Sequence, residues 1–150
     1  MRAVVQRVAS GRVRIGTRVA GEIGGGLLVF VGVSREDTAD DVRYLASKIL
    51  DLRLFDGTDG RRNDRSVRDV GGGVLVVSQF TLYGDVRRGR RPSFDAAAPP
   101  GQARHLYEQL VRELRARGVP VATGEFQATM QVEIVNDGPV TILVDSRRRF

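Results

Sequence analysis

The stretch MQVEIVNDGPVTILV, residues 130 to 144, holds two apolar runs that alternate with polar residues. Alternation with a period of two is typical of β-strands with one buried face, and it predicts strands over 130–135 and 140–144. The Asn-Asp-Gly sequence between them has the chemistry of a tight turn, which predicts a hairpin. Pro139, directly after that turn, has no backbone N–H with which to begin the second strand's ladder.

Two interpretations of this proline remain open from the pattern alone. In the first, the hairpin is ordinary and Pro139 lies on an edge strand, where a missing donor is tolerated. In the second, the Gly138–Pro139 bond is cis, which would direct two successive carbonyls nearly parallel, so that both accept hydrogen bonds from a ligand. Only about 5% of X-Pro bonds are cis in folded proteins, so the pattern does not choose this form.

The rest of the chain alternates further strands with two helical segments. The same criteria predict strands over 3–8, 12–15, 19–23, 27–33 and 74–83. Apolar residues at helical spacing predict one helix around Val42 to Ile49, with Thr38 and Asp41 as its capping pair, and a second around Leu106 to Leu114. Polar, glycine-rich segments at 56–69 and 84–100 are typical of loops. We therefore expect an α+β domain over residues 1–150, with a mostly antiparallel sheet and two main helices.

Two triple glycines begin similar segments, GGGLLVFVGVS at 24–34 and GGGVLVVSQFT at 71–81. A loop that cradles phosphate places its glycines before a helix, where free N–H groups and the helix dipole meet the anion. Both segments instead continue as apolar runs typical of buried strands. This arrangement favours two flexible turns over a nucleotide-binding loop.

Composition narrows the classes of function. The chain has no cysteine, which excludes disulfides, thiol nucleophiles and cysteine-bound metals and fits a cytoplasmic setting. No apolar run reaches the ~18 residues of a membrane span, so we expect a soluble, unexported protein. The net charge is +6, and every basic residue except Lys48 is arginine. This bias fits a nucleic-acid partner, and it equally fits a GC-rich genome.

Acid–base chemistry has little support in the sequence. His105 is the only histidine, and its place on the flank of the second helix favours a solvated position over a catalytic one. One histidine and no cysteine give no metal cluster, and no G-x-S-x-G elbow supports a catalytic triad. We therefore expect no metal and no cofactor.

Polar residues near the end of the 74–83 segment leave two interpretations. Ser78, Gln79 and Thr81 interrupt an apolar run, and a buried polar group without a partner costs about 1 to 3 kcal/mol. Either the strand leaves the core here, with Ser78 and Thr81 paired across the sheet, or the strand end lines a pocket. Four arginines follow in the next loop, and they form either a phosphate-binding patch or a solvated loop: Arg87, Arg88, Arg90 and Arg91.

Two motifs together resemble the signature of the D-aminoacyl-tRNA deacylases, also called D-tyrosyl-tRNA deacylases. They are SQFTL at 78–82 and NDGPVT at 136–141. The resemblance extends along the whole chain, because further family-like segments follow in the expected order: QRV at 6–8, GEIGGGLLVFVGV at 21–33, GRRPSF at 89–94 and MQVEIVNDGPVT at 130–141.

The resemblance implies a homodimer with a barrel-like core that hydrolyses the ester between a D-amino acid, or glycine, and the terminal ribose of tRNA. In such a protein the cis Gly138–Pro139 bond would reach into the partner subunit's pocket, engage the α-amino group and exclude an L side chain. Arg7 would hold this loop in place. The remaining site residues implied are Ser78, Gln79, Phe80 and Thr81 on the ester side, with Phe126 and Met130 nearby, and tRNA phosphates would meet Arg87, Arg88, Arg90 and Arg91.

The resemblance also implies a mechanism that needs no catalytic base. The 2′-hydroxyl of the terminal adenosine assists the reaction, while the protein supplies position and N–H donors. An older proposal makes Thr81 a nucleophile, but the sequence offers no base to activate it. The chain departs from the family pattern at Gln127 and Thr129, so we expect a pocket wall of different shape there.

Two other classes of function compete with this interpretation. A non-catalytic RNA-binding module would rest on the arginine content and the loop patch alone. A hydrolase of small esters that uses the Thr81 side chain would need no RNA. The three classes differ in whether they cleave D-aminoacyl-tRNA, L-aminoacyl-tRNA or a free D-amino-acid ester.

Overall fold

A computed structural model describes all 150 residues, and they form six strands and two α-helices. The elements in chain order are β1 Arg2–Ile15, β2 Arg18–Ile23, β3 Gly26–Gly32, α1 Ala39–Asp51, β4 Gly73–Ser78, α2 Pro100–Ala116, β5 Val121–Thr123 and β6 Gln131–Asp145. The α+β class with two main helices is therefore confirmed. Neither helix is long and apolar enough to cross a membrane.

The strands form one mixed sheet in the order β2-β1-β3-β4-β5, and β6 also pairs with β1. Antiparallel pairing predominates as predicted, because β1 runs antiparallel to β2, β3 and β6. The pairs β3–β4 and β4–β5 are parallel. Parallel neighbours need a crossover connection, and α1 and α2 supply the two crossovers.

Glycines allow the curved sheet to close almost into a barrel. A Cβ atom on Gly21 in β2 would lie 2.3 Å from the carbonyl oxygen of Thr123 in β5, so only glycine permits this approach of the two edge strands. Gly26 and Gly73, one from each triple glycine, are Cα partners where β3 meets β4. A Cβ on Gly26 would lie 2.0 Å from the carbonyl oxygen of Gly73. The triple glycines thus lead into paired strands, as the sequence favours, and they permit close backbone approach.

The predicted hairpin at 130–144 is wrong, because both runs belong to the single strand β6. Both pair with β1 in the same antiparallel direction, from Arg14 opposite Gln131 to Arg2 opposite Asp145. Between the pairs Val8–Asn136 and Gln6–Thr141, the segment 137–140 leaves the ladder opposite Arg7. The turn residues therefore bend the chain out of the sheet and back without reversing it. The predicted strands 3–8 and 12–15 are likewise one continuous strand, β1.

The predicted strand 74–83 is five residues too long. β4 ends at Ser78, and Phe80–Tyr83 form a 3₁₀ turn. The Gln79 N–H donates to the Val31 carbonyl at 2.7 Å as the last contact with β3, and the Leu82 N–H then donates to the Gln79 carbonyl at 3.2 Å. The chain therefore leaves the sheet at Ser78 and Gln79, the first polar residues of this segment.

The helices cover one face of the sheet and bury the main core. The predicted helical residues Val42, Leu45 and Ile49 are fully buried there, as is Leu110 from α2. Thr38 and Asp41 form the predicted capping box. A smaller cluster of five buried residues fills the inside of the curved sheet: Val8, Val13, Leu28, Leu75 and Val77. The segments 56–69 and 84–100 contain no strand or α-helix before Pro100, as predicted.

Candidate active site

A cavity of about 840 Å³ lies where β3 and β4 end. The start of α2 and the segment between β5 and β6 form its other walls. Most of its lining is apolar, and the polar exceptions at the end of β4 are Ser78 and Gln79. These two residues therefore line a pocket, which is the second of the two interpretations left open by the sequence. The other sequence-predicted site residues on its wall are Phe80, Phe126 and Met130.

The 3₁₀ turn after β4 positions the edge of this cavity. Phe80 remains 55% exposed, and its ring meets the ring of Phe94 edge-on at 5.0 Å between centroids. Thr81 is exposed and does not line the cavity. Its hydroxyl accepts a hydrogen bond from the Gln79 side-chain amide, a group that cannot remove a proton from it.

Only one ionisable side chain, Arg35, lines the cavity. An arginine stays protonated in proteins and cannot act as a general base. His105 lies exposed on α2 outside the cavity wall, which confirms the solvated position expected from the sequence. A reaction in this cavity would therefore rely on position and hydrogen bonds from this chain rather than on proton transfer.

Phe126 forms a wall of the cavity and is supported from outside it. Its ring lies 6.1 Å from the ring of Tyr107, whose hydroxyl donates to the Val76 carbonyl at 2.9 Å. Burial raises the pKa of Tyr107 to about 12, so this donor keeps its proton. The Arg104 guanidinium lies 4.9 Å from the centroid of Phe126. Sequence reasoning missed Tyr107 and Arg104, because on a helix they look like a core residue and a solvated charge.

The two residues at which the chain departs from the family pattern lie in different places. Gln127 lines the cavity next to Phe126 and adopts a left-handed backbone conformation, with φ at 63°. Thr129 is exposed and does not line the cavity. Only Gln127 is thus placed to alter the shape of the wall.

The Gly-Pro loop, residues 137 to 140, lies away from the cavity of its own chain. The Gly138–Pro139 bond is cis, and both residues are exposed. Arg7 bridges this loop to the segment after α1: its Nε donates to the Asp137 carbonyl at 3.1 Å and its Nη1 to the Leu54 carbonyl at 2.7 Å. The Asp137 carboxylate lies 3.6 Å from the same Nε. Neither Gly138 nor Pro139 lines the cavity, so one chain does not bring the two features together.

The arginine-rich loop is closed at its base by paired backbone hydrogen bonds between Asp85 and Ser93, at 2.7 and 2.9 Å. Hydrogen bonds from the side chain and backbone of Arg87 lower the pKa of Asp85 to about 2, and the two form an exposed ion pair. The other three arginines are exposed and form no ion pair: Arg88, Arg90 and Arg91. Phe94, directly after the loop, lines the cavity, which places this positive charge beside it.

Comparison with solved structures identifies the fold. A structure titled "Structural Analysis of a probable eukaryotic D-amino acid tRNA deacylase" matches 95% of this chain and 97% of its own, with a TM-score of 0.80 at 18% sequence identity. The "c-Myc DNA Unwinding Element Binding Protein" matches 97% of this chain and 98% of its own, with a TM-score of 0.93 at 41% identity.

Comparison with curated sequences identifies the family. The family model for D-Tyr-tRNA(Tyr) deacylase matches residues 4–145. Proteins named D-aminoacyl-tRNA deacylase from Desulforudis audaxviator and Thermotoga petrophila are 60% and 56% identical to this chain over 150 residues, and each comparison covers the full length of both proteins. The chain therefore belongs to the D-Tyr-tRNA(Tyr) deacylase family, which confirms the resemblance seen in the sequence. Members of this family are hydrolases that act on aminoacyl-tRNA.

Proposed function

We propose that residues 1–150 act as a single deacylase domain that hydrolyses the ester of D-aminoacyl-tRNA, and of glycine carried by tRNA, to release the amino acid and free tRNA. The cavity beside Ser78, Gln79 and Phe80 is the observation on which this rests, since it joins an apolar pocket to polar groups at the end of β4. The names of full-length relatives at 53% to 60% identity support the same substrate class. A tRNA substrate implies a cytoplasmic protein with no membrane partner.

The active form in this proposal is a homodimer in which each Gly-Pro loop enters the partner's cavity. The support is geometric: Gly138 and Pro139 are exposed and do not line their own cavity. Val135 and Leu143, which flank the loop on β6, are 57% and 58% exposed, so apolar side chains are available for an interface. A two-fold arrangement would use the same patch twice and create two identical sites. The loop carbonyls would then bind the α-amino group and leave no room for an L side chain.

The chemistry in this proposal is assisted by the substrate. The 2′-hydroxyl of the terminal adenosine takes part in cleavage of the neighbouring ester, while the cavity holds the reacting groups in position. Phe80 and Thr81 begin the 3₁₀ turn, and the first N–H groups of a helical turn have no partner within that turn. These donors are available for negative charge that develops on the carbonyl oxygen. The absence of any ionisable group but Arg35 from the cavity wall supports this mechanism over a nucleophilic Thr81.

The arginine-rich loop is proposed to bind tRNA phosphates and not bases. Arg88, Arg90 and Arg91 form no ion pair within the chain, so their charges are free for a polyanion. Replacing one of them should weaken binding of all tRNAs and reduce the salt slope of binding by roughly one unit per lost contact. Arg87 should contribute less, because Asp85 already neutralises it. Selective loss of one tRNA would indicate a base contact and contradict this assignment.

One assay separates the proposed activity from its alternatives. The protein is incubated with D-tyrosyl-tRNA, L-tyrosyl-tRNA and a free D-tyrosine ester, and release of tyrosine is followed. The proposal expects cleavage of the first substrate only. Binding of both tRNAs without release would identify an RNA-binding module, and turnover of the free ester would identify a side-chain hydrolase.

Subunit complementation tests the shared site. One variant carries Gly138→Ala with Pro139→Ala, and the second carries Ser78→Trp, which fills the cavity. If the loop acts in the partner's cavity, each variant is inactive alone, and a mixture refolded at equal concentrations regains about a quarter of wild-type activity. That fraction follows because half of the dimers are mixed and one of their two sites combines an intact loop with an intact cavity. A mixture that stays inactive, although native mass spectrometry shows mixed dimers, would contradict a site shared between subunits.

A further inference from the structure

A second concave surface adjoins the cavity on the outer side of Phe126. This groove has a volume of about 450 Å³ and lies between α2 and the residues that follow β5. Phe126 lines both the groove and the cavity, so its ring separates the two. The charged residues of the groove are Arg104, Arg112 and Arg115 from α2, with Glu108 and Glu125.

The positive charge in this groove is largely unused within the chain. Arg104 and Arg112 form no ion pair and no hydrogen bond, whereas Glu125 is held by Arg18 at 2.8 Å. Arg115 donates only to the Val121 carbonyl, at 3.3 Å. Arg104 and Arg115 are eleven residues apart on one helix, which is about 16 Å at the α-helical rise. With Glu125 paired to Arg18 and Glu108 unpaired, the three arginines leave the groove with an excess of positive charge, and Arg104 lies at its cavity end.

We infer that this groove binds the phosphates of the single-stranded 3′ end of tRNA, with Arg104 on the phosphate next to the terminal adenosine. The inference rests on the proposed function, because it takes the ester in the cavity as that of an aminoacyl-tRNA. The 5′ phosphate of the terminal nucleotide is within one nucleotide of the ester, so it must lie just outside the cavity. The Arg104 guanidinium lies 4.9 Å from the centroid of Phe126, on the outer side of the cavity wall, and a guanidinium binds phosphate at two points.

A purely structural role for Arg104 makes a different prediction. If its guanidinium only covers the Phe126 ring, its loss would disturb the cavity wall for every substrate that enters. If it binds a phosphate, its loss matters only for substrates that carry that phosphate. The two roles are separated by comparing D-tyrosyl-tRNA with the 3′-D-tyrosyl ester of adenosine, which has the reacting groups and no phosphate.

The experiment measures KM and kcat for both substrates between 50 and 200 mM salt in wild type, Arg104→Ala and Arg104→Lys. Each single-strand phosphate contact contributes a slope of about 0.7 in log KM against log salt, which is about 2.6-fold over this range. Arg104→Ala should raise the KM for tRNA relative to that for the adenosine ester and lower the tRNA salt slope by about 0.7. Arg104→Lys should restore much of the slope, because it keeps the charge. Arg43→Ala, which removes an exposed arginine on α1, is the matched control and should change neither quantity.

Equal loss on both substrates in Arg104→Ala would overturn the inference in favour of support for Phe126. An unchanged tRNA salt slope would overturn it as well. Failure of wild-type protein to cleave D-tyrosyl-tRNA would instead refute the proposed function, so the two failures are distinct.

Discussion

Replacement of Arg7 by methionine tests whether one side chain fixes the Gly-Pro loop. The guanidinium connects the Asp137 carbonyl, at 3.1 Å, with the Leu54 carbonyl, at 2.7 Å. Arg7→Met keeps an unbranched chain of similar length and removes both donors. Only the loop at 137–140 leaves the β1–β6 ladder here, so the loss should fall on the loop and not on the strands.

The expected size of the effect follows from the surroundings of each bond. The Leu54 carbonyl is in a buried residue, and loss of a charged donor to such an acceptor costs about 1 to 3 kcal/mol. The contact with Asp137 is exposed to solvent and adds about 0 to 1 kcal/mol. We therefore expect the free energy of unfolding to fall by about 1 to 4 kcal/mol. The same energy corresponds to about 5- to 700-fold in the equilibrium between anchored and released loop.

Urea unfolding and single-turnover cleavage of D- and L-tyrosyl-tRNA measure the two consequences. Arg7→Met should lose stability, slow cleavage of the D substrate and reduce discrimination against the L substrate. Arg7→Lys should be intermediate, because one ammonium group cannot reach both carbonyls as the guanidinium does. Arg14→Met is the matched control, since Arg14 lies on the same strand and pairs only with the half-exposed Glu133. If Arg7→Met kept wild-type cleavage and discrimination while losing more stability than the control, the loop would not depend on Arg7 for function.

Three further predictions address the mechanism, the barrel and the acid stability. Thr81→Ala should retain most of the deacylase activity, and the wild-type protein should be nearly inactive on D-tyrosyl-tRNA that ends in 2′-deoxyadenosine. If Thr81→Ala were inactive and the wild-type protein cleaved the deoxy substrate rapidly, Thr81 would be the nucleophile. Gly21→Ala should lower the free energy of unfolding by about 1 to 3 kcal/mol, because the added Cβ would meet the β5 backbone. Gly24→Ala is the control and should not lower it, because the space around Gly24 is open. Equal melting temperatures for the two variants would refute the close approach of β2 and β5. Burial acts to raise the pKa of Asp41, but hydrogen bonds from Ser146 and Thr38 outweigh burial and hold the pKa below its ordinary value. The ionised Asp41 therefore stabilises the folded state above about pH 4, and this stabilisation is lost as the pH falls through the pKa of the folded state. Ser146→Ala should therefore be less stable than wild type at pH 7 and approach it in acid, as followed by urea unfolding at each pH.

Local signals in the sequence predicted the elements whose structure is set locally. The capping pair Thr38–Asp41 and the helical spacing of Val42 to Ile49 identified α1, because both depend on residues within one or two turns. The hairpin was wrong because the choice between reversing and continuing depends on β1, more than 120 residues earlier in the chain. The same Asn-Asp-Gly sequence serves both geometries, so no local rule separates them.

The candidate site was predictable only where the family motifs lie. Ser78, Gln79 and Phe80 were named from SQFTL, and the structure places them on the cavity wall. Arg104 could not be found this way, because a single exposed arginine on a helix is the commonest kind of solvated residue. Arg104 differs from an ordinary solvated arginine by its contact with Phe126, which follows β5 and reaches α2 only in the folded chain.

Residues 137–140 are an insertion into an otherwise regular strand. β1 pairs with residues 131–136 on one side of it and with 141–145 on the other, so the register of the sheet is held on both sides. The sheet and residues 137–140 can therefore vary almost separately. Shortening residues 137–140 to a simple β-bulge would leave the β1–β6 hydrogen bonds on both sides intact and would not change the cavity of the chain. The result would be a folded protein that lacks only the Gly-Pro loop. If the Gly-Pro loop acts as proposed, selection could alter substrate preference by changing these few residues without rebuilding the barrel.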